Sequence, residues 1–246
     1  MREPVETPSS SCALPADRAA PPRHEVPRYL ERYYWWAYVR PRAVWFWERP
    51  WLANLVLLGN YGRLRTAALD ELGQRLPGRT LQIACCYGDF TPRLARRVAD
   101  SGGALDVIDI LPVQLENLRR KLWPDAPVRT QQMDASAMTY ADASFDRVVL
   151  FFLLHEQPPQ VREQTLREAL RVLKPGGVIV IADYARPARW HPARYLLLPI
   201  LRRVEPFAAD LWRGELDEMC PQAFAGRRWR KTACFGGLYQ RLVSRG

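Results

Sequence analysis

The stretch Thr80-Leu81-Gln82-Ile83-Ala84-Cys85-Cys86-Tyr87-Gly88-Asp89-Phe90-Thr91-Pro92 joins an apolar run rich in strand formers to a glycine turn and then to a Thr-Pro pair. Threonine at an N-cap with proline at the first helical position opens a helix, so the order predicted is strand, tight turn, helix. In an open α/β sheet such a turn carries free backbone N–H groups and a helix N-terminus to the carboxyl end of a strand, where a ligand sits. The loop keeps only Gly88 where a nucleotide loop commonly has two or three glycines.

Downstream, the pattern repeats. Leu94 and Val98 hold helical spacing and Gly102-Gly103 stops the helix. Ala104 to Asp109 reads as a second strand ending in an acid, about 20 residues past the turn, where a nucleoside-binding fold places a carboxylate on ribose hydroxyls. A helix follows with Pro112 in its first turn and Leu111, Leu115, Leu118 and Leu122 on one face. Val128 to Met133 is a third strand ending at Asp134, with the small residues Ala135 and Ser136 behind it. Arg147 to Leu154 is a continuous apolar run of the kind that central parallel strands carry, and it leads into His155-Glu156-Gln157. Leu166, Ala169, Leu170 and Leu173 mark the next helix, which Lys174-Pro175-Gly176-Gly177 closes. Val178 to Ala182 is strand five, ending at Asp183-Tyr184, and Gly236-Gly237 predicts a terminal hairpin.

Upstream, residues 1–27 are rich in Pro, Ser and Ala without a hydrophobic core segment, and are expected to be a disordered tail rather than a signal peptide. Residues 28–79 read as a helical cap in which Trp35, Trp36, Trp45, Trp47 and Trp51 alternate with tyrosines and arginines, and in which Pro41 and Pro50 interrupt helices. Amphipathic rings mixed with long cations suit a segment lying on a membrane surface; the same rings also suit a cap packed on the core.

The chain has 246 residues, enough for one domain with an extension. Its 36 basic and 26 acidic residues give +10, which favours an anionic partner such as a lipid surface. All the basic residues except Lys121, Lys174 and Lys231 are arginine, a skew compatible with genome composition alone. Five cysteines without C-x-x-C spacing support neither a disulfide framework nor a structural zinc site, and a reducing compartment fits. No apolar run approaches the roughly 18 residues of a transmembrane helix.

Five βα units, a terminal hairpin, acids closing strands two and three, and the local marks Ser144-Phe145-Asp146 and Leu173-Lys174-Pro175-Gly176-Gly177 resemble the class I S-adenosylmethionine (SAM) dependent methyltransferases. The fold class expected is therefore α/β: a mostly parallel Rossmann-like sheet over residues 80–246, with a helical lid around 187–220. The resemblance implies SAM as co-substrate, with Asp109 on its ribose, Asp134 on its adenine amino group, and Tyr87, Gly88 and Asp89 in the loop beneath its methionine end. Ala84, Ile110, Ala135 and Phe151 complete the expected cofactor set.

Where the family carries D/E-x-G-x-G-x-G, this chain reads Gln82, Ala84, Cys86 and Gly88. That altered turn, together with Tyr34 to Ala43, Leu111 to Leu118 and Phe151 to Pro158, is similar to the rhodoquinone biosynthesis (RquA) family. The similarity implies conversion of ubiquinone to rhodoquinone, a ring methoxy group giving way to an amino group, with SAM as amino donor and manganese assisting. An ordinary SAM-dependent methyltransferase on a quinone or lipid hydroxyl is the alternative. Amination needs the SAM amine uncharged, and a neutral Gln82 in place of an acid lowers that amine's pKa. His155, Glu156 and Tyr184 are the other expected catalytic residues; His155, Glu156 and Asp183, with His191, are candidate manganese ligands. A quinone substrate places the chain in the cytoplasm, peripherally on the inner membrane, with no nucleic acid partner. Trp190 to Arg203 and the aromatic cap are the expected docking face.

Overall fold

The computed structural model describes residues 25–246, so the expected tail lies outside the described residues up to residue 24. Arg79–Ile83 (β1) is buried at four of its five positions and forms the centre of the sheet. Parallel neighbours flank it: Ala104–Asp109 (β2) on one side and Phe145–Phe151 (β4) on the other. Val128–Gln132 (β3) lies outside β2, and Leu173–Tyr184 (β5) outside β4. The edge is completed by two antiparallel strands, Tyr239–Arg245 (β7) and Trp229–Cys234 (β6), giving the order β3-β2-β1-β4-β5-β7-β6. Strand order reverses between β1 and β4, and the carboxyl ends there open the crevice that such sheets use for ligands.

Tyr61–Leu72 (α4), Phe90–Ala99 (α5), Pro112–Lys121 (α6) and Pro159–Val172 (α7) are the helices of this α/β core. The helix after the central turn begins one residue before the expected cap. Asp89 takes the capping position, and Phe90 opens the helix because its ring stacks on Phe151 with centroids 4.2 Å apart. The Lys174-Pro-Gly-Gly segment, expected to be a turn, is instead the first part of β5, which pairs Leu173 with Phe145 before the register shifts. Asp146 is the reason: one carboxylate oxygen accepts from Lys174 Nζ at 2.8 Å and the other from the Arg79 backbone N–H at 2.8 Å. The two sequence marks thus meet as a strut across β1, β4 and β5, away from the crevice.

Two further layers close over the carboxyl ends. Arg28–Tyr33 (α1), a wide turn at Trp35–Val39, Pro41–Trp47 (α2) and Pro50–Val56 (α3) form the N-terminal cap. Pro41 and Pro50 each occupy the first turn of a new helix, where a missing N–H costs nothing, so they start helices as well as separating them. Tyr34, fully buried, reaches the His155 carbonyl at 3.3 Å. From the other side come Ala193–Val204 (α8), Pro206–Leu211 (α9) and the short turns Leu216–Met219 (α10) and Pro221–Phe224 (α11). Arg162 pins that layer: wholly buried, it donates to the carbonyls of Leu154, Gln157 and Phe207. No helix among the described residues is long and apolar enough to cross a membrane.

Candidate active site

Asp109 ends β2 and faces a narrow cavity shared with Ala84, Ile110, Asp134 and Ala135. Its Oδ1 accepts from the Leu111 N–H and its Oδ2 from the Cys85 N–H, both at 2.8 Å, which fixes the carboxylate. Burial pushes its pKa up to about 6, against the pull of those N–H donors. Asp134, at the end of β3, accepts from the Ser136 N–H and hydroxyl through one oxygen. The cavity is roofed by Pro27, Tyr29 and Leu30 of the cap. This donor set fits an adenosine: two strand-end carboxylates stand beside small and apolar residues, as a ribose diol and a purine require.

The loop after β1 is held from below and from outside. Gln82, with no exposed surface, donates from Nε2 to the Ala84 carbonyl and to Thr91 Oγ1, each at 2.9 Å, while its Oε1 is buried without a partner. It lines neither this cavity nor its neighbour, so it shapes the loop rather than touching a ligand. Lys121 Nζ donates to the carbonyls of Cys86 and Gly88, and Glu48 accepts from the Gly88 N–H. Asp89 points outward into ion pairs with Arg65 at 2.6 Å and Arg93 at 2.5 Å and lines neither cavity. Gly88 is irreplaceable in this arrangement, because at φ +80° a Cβ would sit 2.5 Å from the Tyr61 hydroxyl. Ala84 takes φ +69°, and Phe152, after β4, takes φ +55°. Positive φ at residues with a Cβ costs on the order of 1–2 kcal/mol each, and both of these line the cavity.

A second, aromatic chamber adjoins the first. Trp36, Trp47, Tyr61, Tyr87, Phe151 and Tyr184 supply rings, and His155, Glu156 and Glu205 supply the ionisable groups. Tyr38, Cys85, Phe152 and Glu156 line both spaces and form the junction between them. Tyr87 stacks on Tyr38 at 5.5 Å, donates its hydroxyl to the Ala37 carbonyl at 2.6 Å and accepts from Gln114. His155 Nδ1 lies 2.9 Å from Asp183 Oδ1, and its Nε2 lies 3.7 Å from Glu156. Burial alone would lower the imidazole pKa, but Asp183 outweighs it and raises it to about 9. Burial raises Glu156 to about 8 despite the neighbouring His155 and the Tyr38 hydroxyl. The junction therefore carries proton donors at neutral pH.

The expected manganese ligands do not make a metal site. Asp183 spends Oδ2 on the backbone N–H of Leu154 and Oδ1 on His155 and the Tyr184 N–H, so it anchors the turn after β4. His191 lies apart, beside Gly236 and Phe235, with Nδ1 accepting from the Ala193 N–H. Among the described residues no group of three or more His, Cys, Asp or Glu side chains is arranged to hold a metal ion. Sequence reasoning missed Glu205, which enters the chamber from between α8 and α9, and Tyr38; neither carries a local pattern that marks it, because each is brought there by a distant segment.

Residues 80–177 match the family model described as a methyltransferase domain. A ubiquinone/menaquinone biosynthesis C-methyltransferase (UbiE) of Azotobacter vinelandii is 36% identical over 141 residues, covering 56% of this chain and 54% of that one. A demethylmenaquinone methyltransferase of Lactobacillus johnsonii is 30% identical over 142 residues, covering 54% and 55%. The chain thus spans about half the length of these curated relatives. The crystal structure of a SAM-dependent methyltransferase from Aquifex aeolicus superposes with a TM-score of 0.57 at 18% identity, covering 83% of this chain and 97% of that one. The architecture is accordingly the Rossmann-like fold of the SAM-dependent methyltransferases, with the methyltransferase-domain match running from β1 into the start of β5.

Proposed function

We propose that the protein transfers a SAM-derived group to a membrane-borne quinone, and that the group is the amine: ubiquinone is converted to rhodoquinone, a ring methoxy group giving way to an amino group. The observation that carries this reading is the junction, where an adenosine-shaped cavity with two strand-end acids meets an aromatic chamber through the buried proton donor Glu156. When bound, SAM would supply either a nucleophilic amine or an electrophilic methyl. Transfer of a methyl to a ring carbon needs a base to remove the displaced proton, whereas loss of methoxide needs an acid. Glu156 and the His155–Asp183 pair, both holding protons near neutrality, can protonate the departing methoxide to methanol; freeing the nitrogen would then break the SAM Cα–N bond, with the Cα–H electron pair reducing the ring to the aminohydroquinone and water hydrolysing the imine to the 2-oxo acid of SAM. Gln82 supports the same reading, since it brings no negative charge beneath the loop to favour an ammonium. Methyl transfer to a quinone is the second reading, favoured by the names of the relatives.

The deciding experiment supplies ubiquinone with SAM labelled on the amine nitrogen or on the methyl carbon. Nitrogen label in the quinone with release of methanol is the expected result; methyl carbon in the ring identifies methyl transfer, and neither label in the product leaves a binding protein. No step here runs through manganese, since among the described residues the side chains do not assemble a site for it.

A lipid surface is the proposed source of the quinone. Trp45 and Trp51 are 67% and 58% exposed, Arg49 lies over the Trp45 ring at 4.5 Å and Arg40 over Trp35 at 4.5 Å. Rings paired with cations suit the headgroup region, and the net charge of +10 adds attraction to anionic lipid. Flotation with anionic vesicles is expected to carry the protein upward at low salt and much less at high salt; sedimentation in both would remove the docking proposal.

A further inference from the structure

A further cavity opens beside the aromatic chamber. Its walls are Leu201, Trp212, Leu238 and Tyr239, and its rim is Leu55 and Leu58, which are 61% and 41% exposed. Val56, Tyr184 and Glu205 line this cavity and the aromatic chamber alike, so the two adjoin. In order, an exposed apolar rim between α3 and α8, the side cavity, the chamber and the junction with the adenosine cavity follow one another, and apart from Glu205 the side cavity is lined wholly by apolar and aromatic side chains. Glu205 stands at the throat with Oε2 shielded from solvent and without a hydrogen-bond partner.

We propose that this side cavity is the subsite for the hydrocarbon tail of the quinone, and that the Glu205 carboxyl at its throat donates a hydrogen bond to the ring carbonyl next to the tail. The proposal rests on the quinone reading above and adds an orientation to it. A ring anchored by its tail at Val56 and Glu205 turns its opposite edge, which in ubiquinone bears both methoxy groups, toward Tyr38, Cys85, Phe152 and Glu156. The group to be replaced then faces the donor, and the tail leaves through the rim that faces lipid. The carboxyl also gains the partner it lacks, and burial raises its pKa against the pull of His155, in the direction of the donating form.

The test measures quenching of Trp36 and Trp47, which line the chamber, by two fully substituted quinones in detergent-free buffer. One is decylubiquinone; the other is 2,3-dimethoxy-5,6-dimethyl-1,4-benzoquinone, the same head group with a methyl in place of the tail. In the wild-type protein the decyl compound is expected to bind at least about 100-fold more tightly, as burial of a ten-carbon chain requires. Leu201→Arg should cut that advantage to under about 10-fold with head-group affinity unchanged, and Leu55→Arg, at the exposed rim where folding is not at stake, should cut it by a smaller factor. Glu205→Gln, which keeps a donor, should retain head-group affinity, and Glu205→Ala should lose it. A tail advantage that survives both arginine variants overturns the tail subsite. Equal head-group binding by Glu205→Gln and Glu205→Ala overturns the assigned role of Glu205. If neither quinone quenches the wild-type protein, the ring chamber itself has been misassigned and the quinone reading falls with it.

Discussion

The two cavities that meet at Glu156 are built in different ways. The adenosine cavity is made by short, local pieces of chain: an acid ending β2, an acid ending β3, and the turn after β1, each set within a few residues of the strand that positions it. The ring chamber draws on segments far apart in sequence, with Trp36 and Tyr38 from the cap, His155 and Glu156 after β4, and Glu205 from between α8 and α9. The first is a property of the sheet, and the second of what is laid over it. A fold of this kind can therefore keep its cofactor while changing what it acts on, because the acceptor side is free to vary without disturbing strand ends.

The largest expected effect tests whether the ring chamber has a rigid floor. Asp183 accepts from three backbone N–H groups and faces His155, so Asp183→Ala strands buried donors and should cost about 4 kcal/mol in chemical denaturation. The pH dependence sharpens the point. His155, Glu156 and Asp109 all have folded pKa values raised above their unfolded ones, to about 9, about 8 and about 6. Groups raised in this way stabilise fully below the unfolded value and lose that contribution as pH rises through the folded value. Wild-type stability should therefore fall from the ordinary carboxylate range up to about pH 9. Asp183→Ala should flatten the part between the ordinary histidine value and pH 9, where His155 titrates.

Asp109→Asn tests the other side of the comparison. The amide keeps one acceptor but turns an NH2 toward the Leu111 or the Cys85 N–H, so SAM affinity by calorimetry should fall about 30-fold, with quinone quenching of Trp36 and Trp47 unchanged. A parallel loss of quinone binding would show that the two cavities are not separable. Gln82→Glu removes the donor to the Ala84 carbonyl and to Thr91 and places an acceptor against an acceptor; a loss of about 2 kcal/mol in stability is expected. The smallest effect runs the other way. Ala84→Gly puts at φ +69° the residue that adopts it without a Cβ penalty and should raise stability by about 0.5–1 kcal/mol, measured by thermal unfolding.

Much of the sheet was legible because periodicity and punctuation are local. Asp109 could be placed by counting from the turn and Asp134 by the strand pattern before it, and they do share a cavity. Where reading by pattern went astray, a distant partner was responsible. Thr91 has the sequence of a cap yet is buried against Gln82, because Phe90 is claimed by Phe151 from another strand. Asp89 looked like a loop residue beneath a ligand, but Arg65 of α4 draws it outward. Asp183 looked like a metal ligand at a strand end, but the turn after β4 uses up its oxygens.

Hydrophobic alternation, turn residues and the acids that follow strands determined by themselves that this chain folds as a Rossmann-like sheet, since each depends on neighbours within a few residues. Only the tertiary structure decided which side chains close its crevice and what faces it: that Gln82 braces the loop, that Glu205 enters the chamber, and that the cap roofs both cavities. The physical reason is that burial and pairing of polar groups depend on what packs against them, and the segments that do so here are far apart in sequence, 121 residues for Tyr34 and the His155 carbonyl.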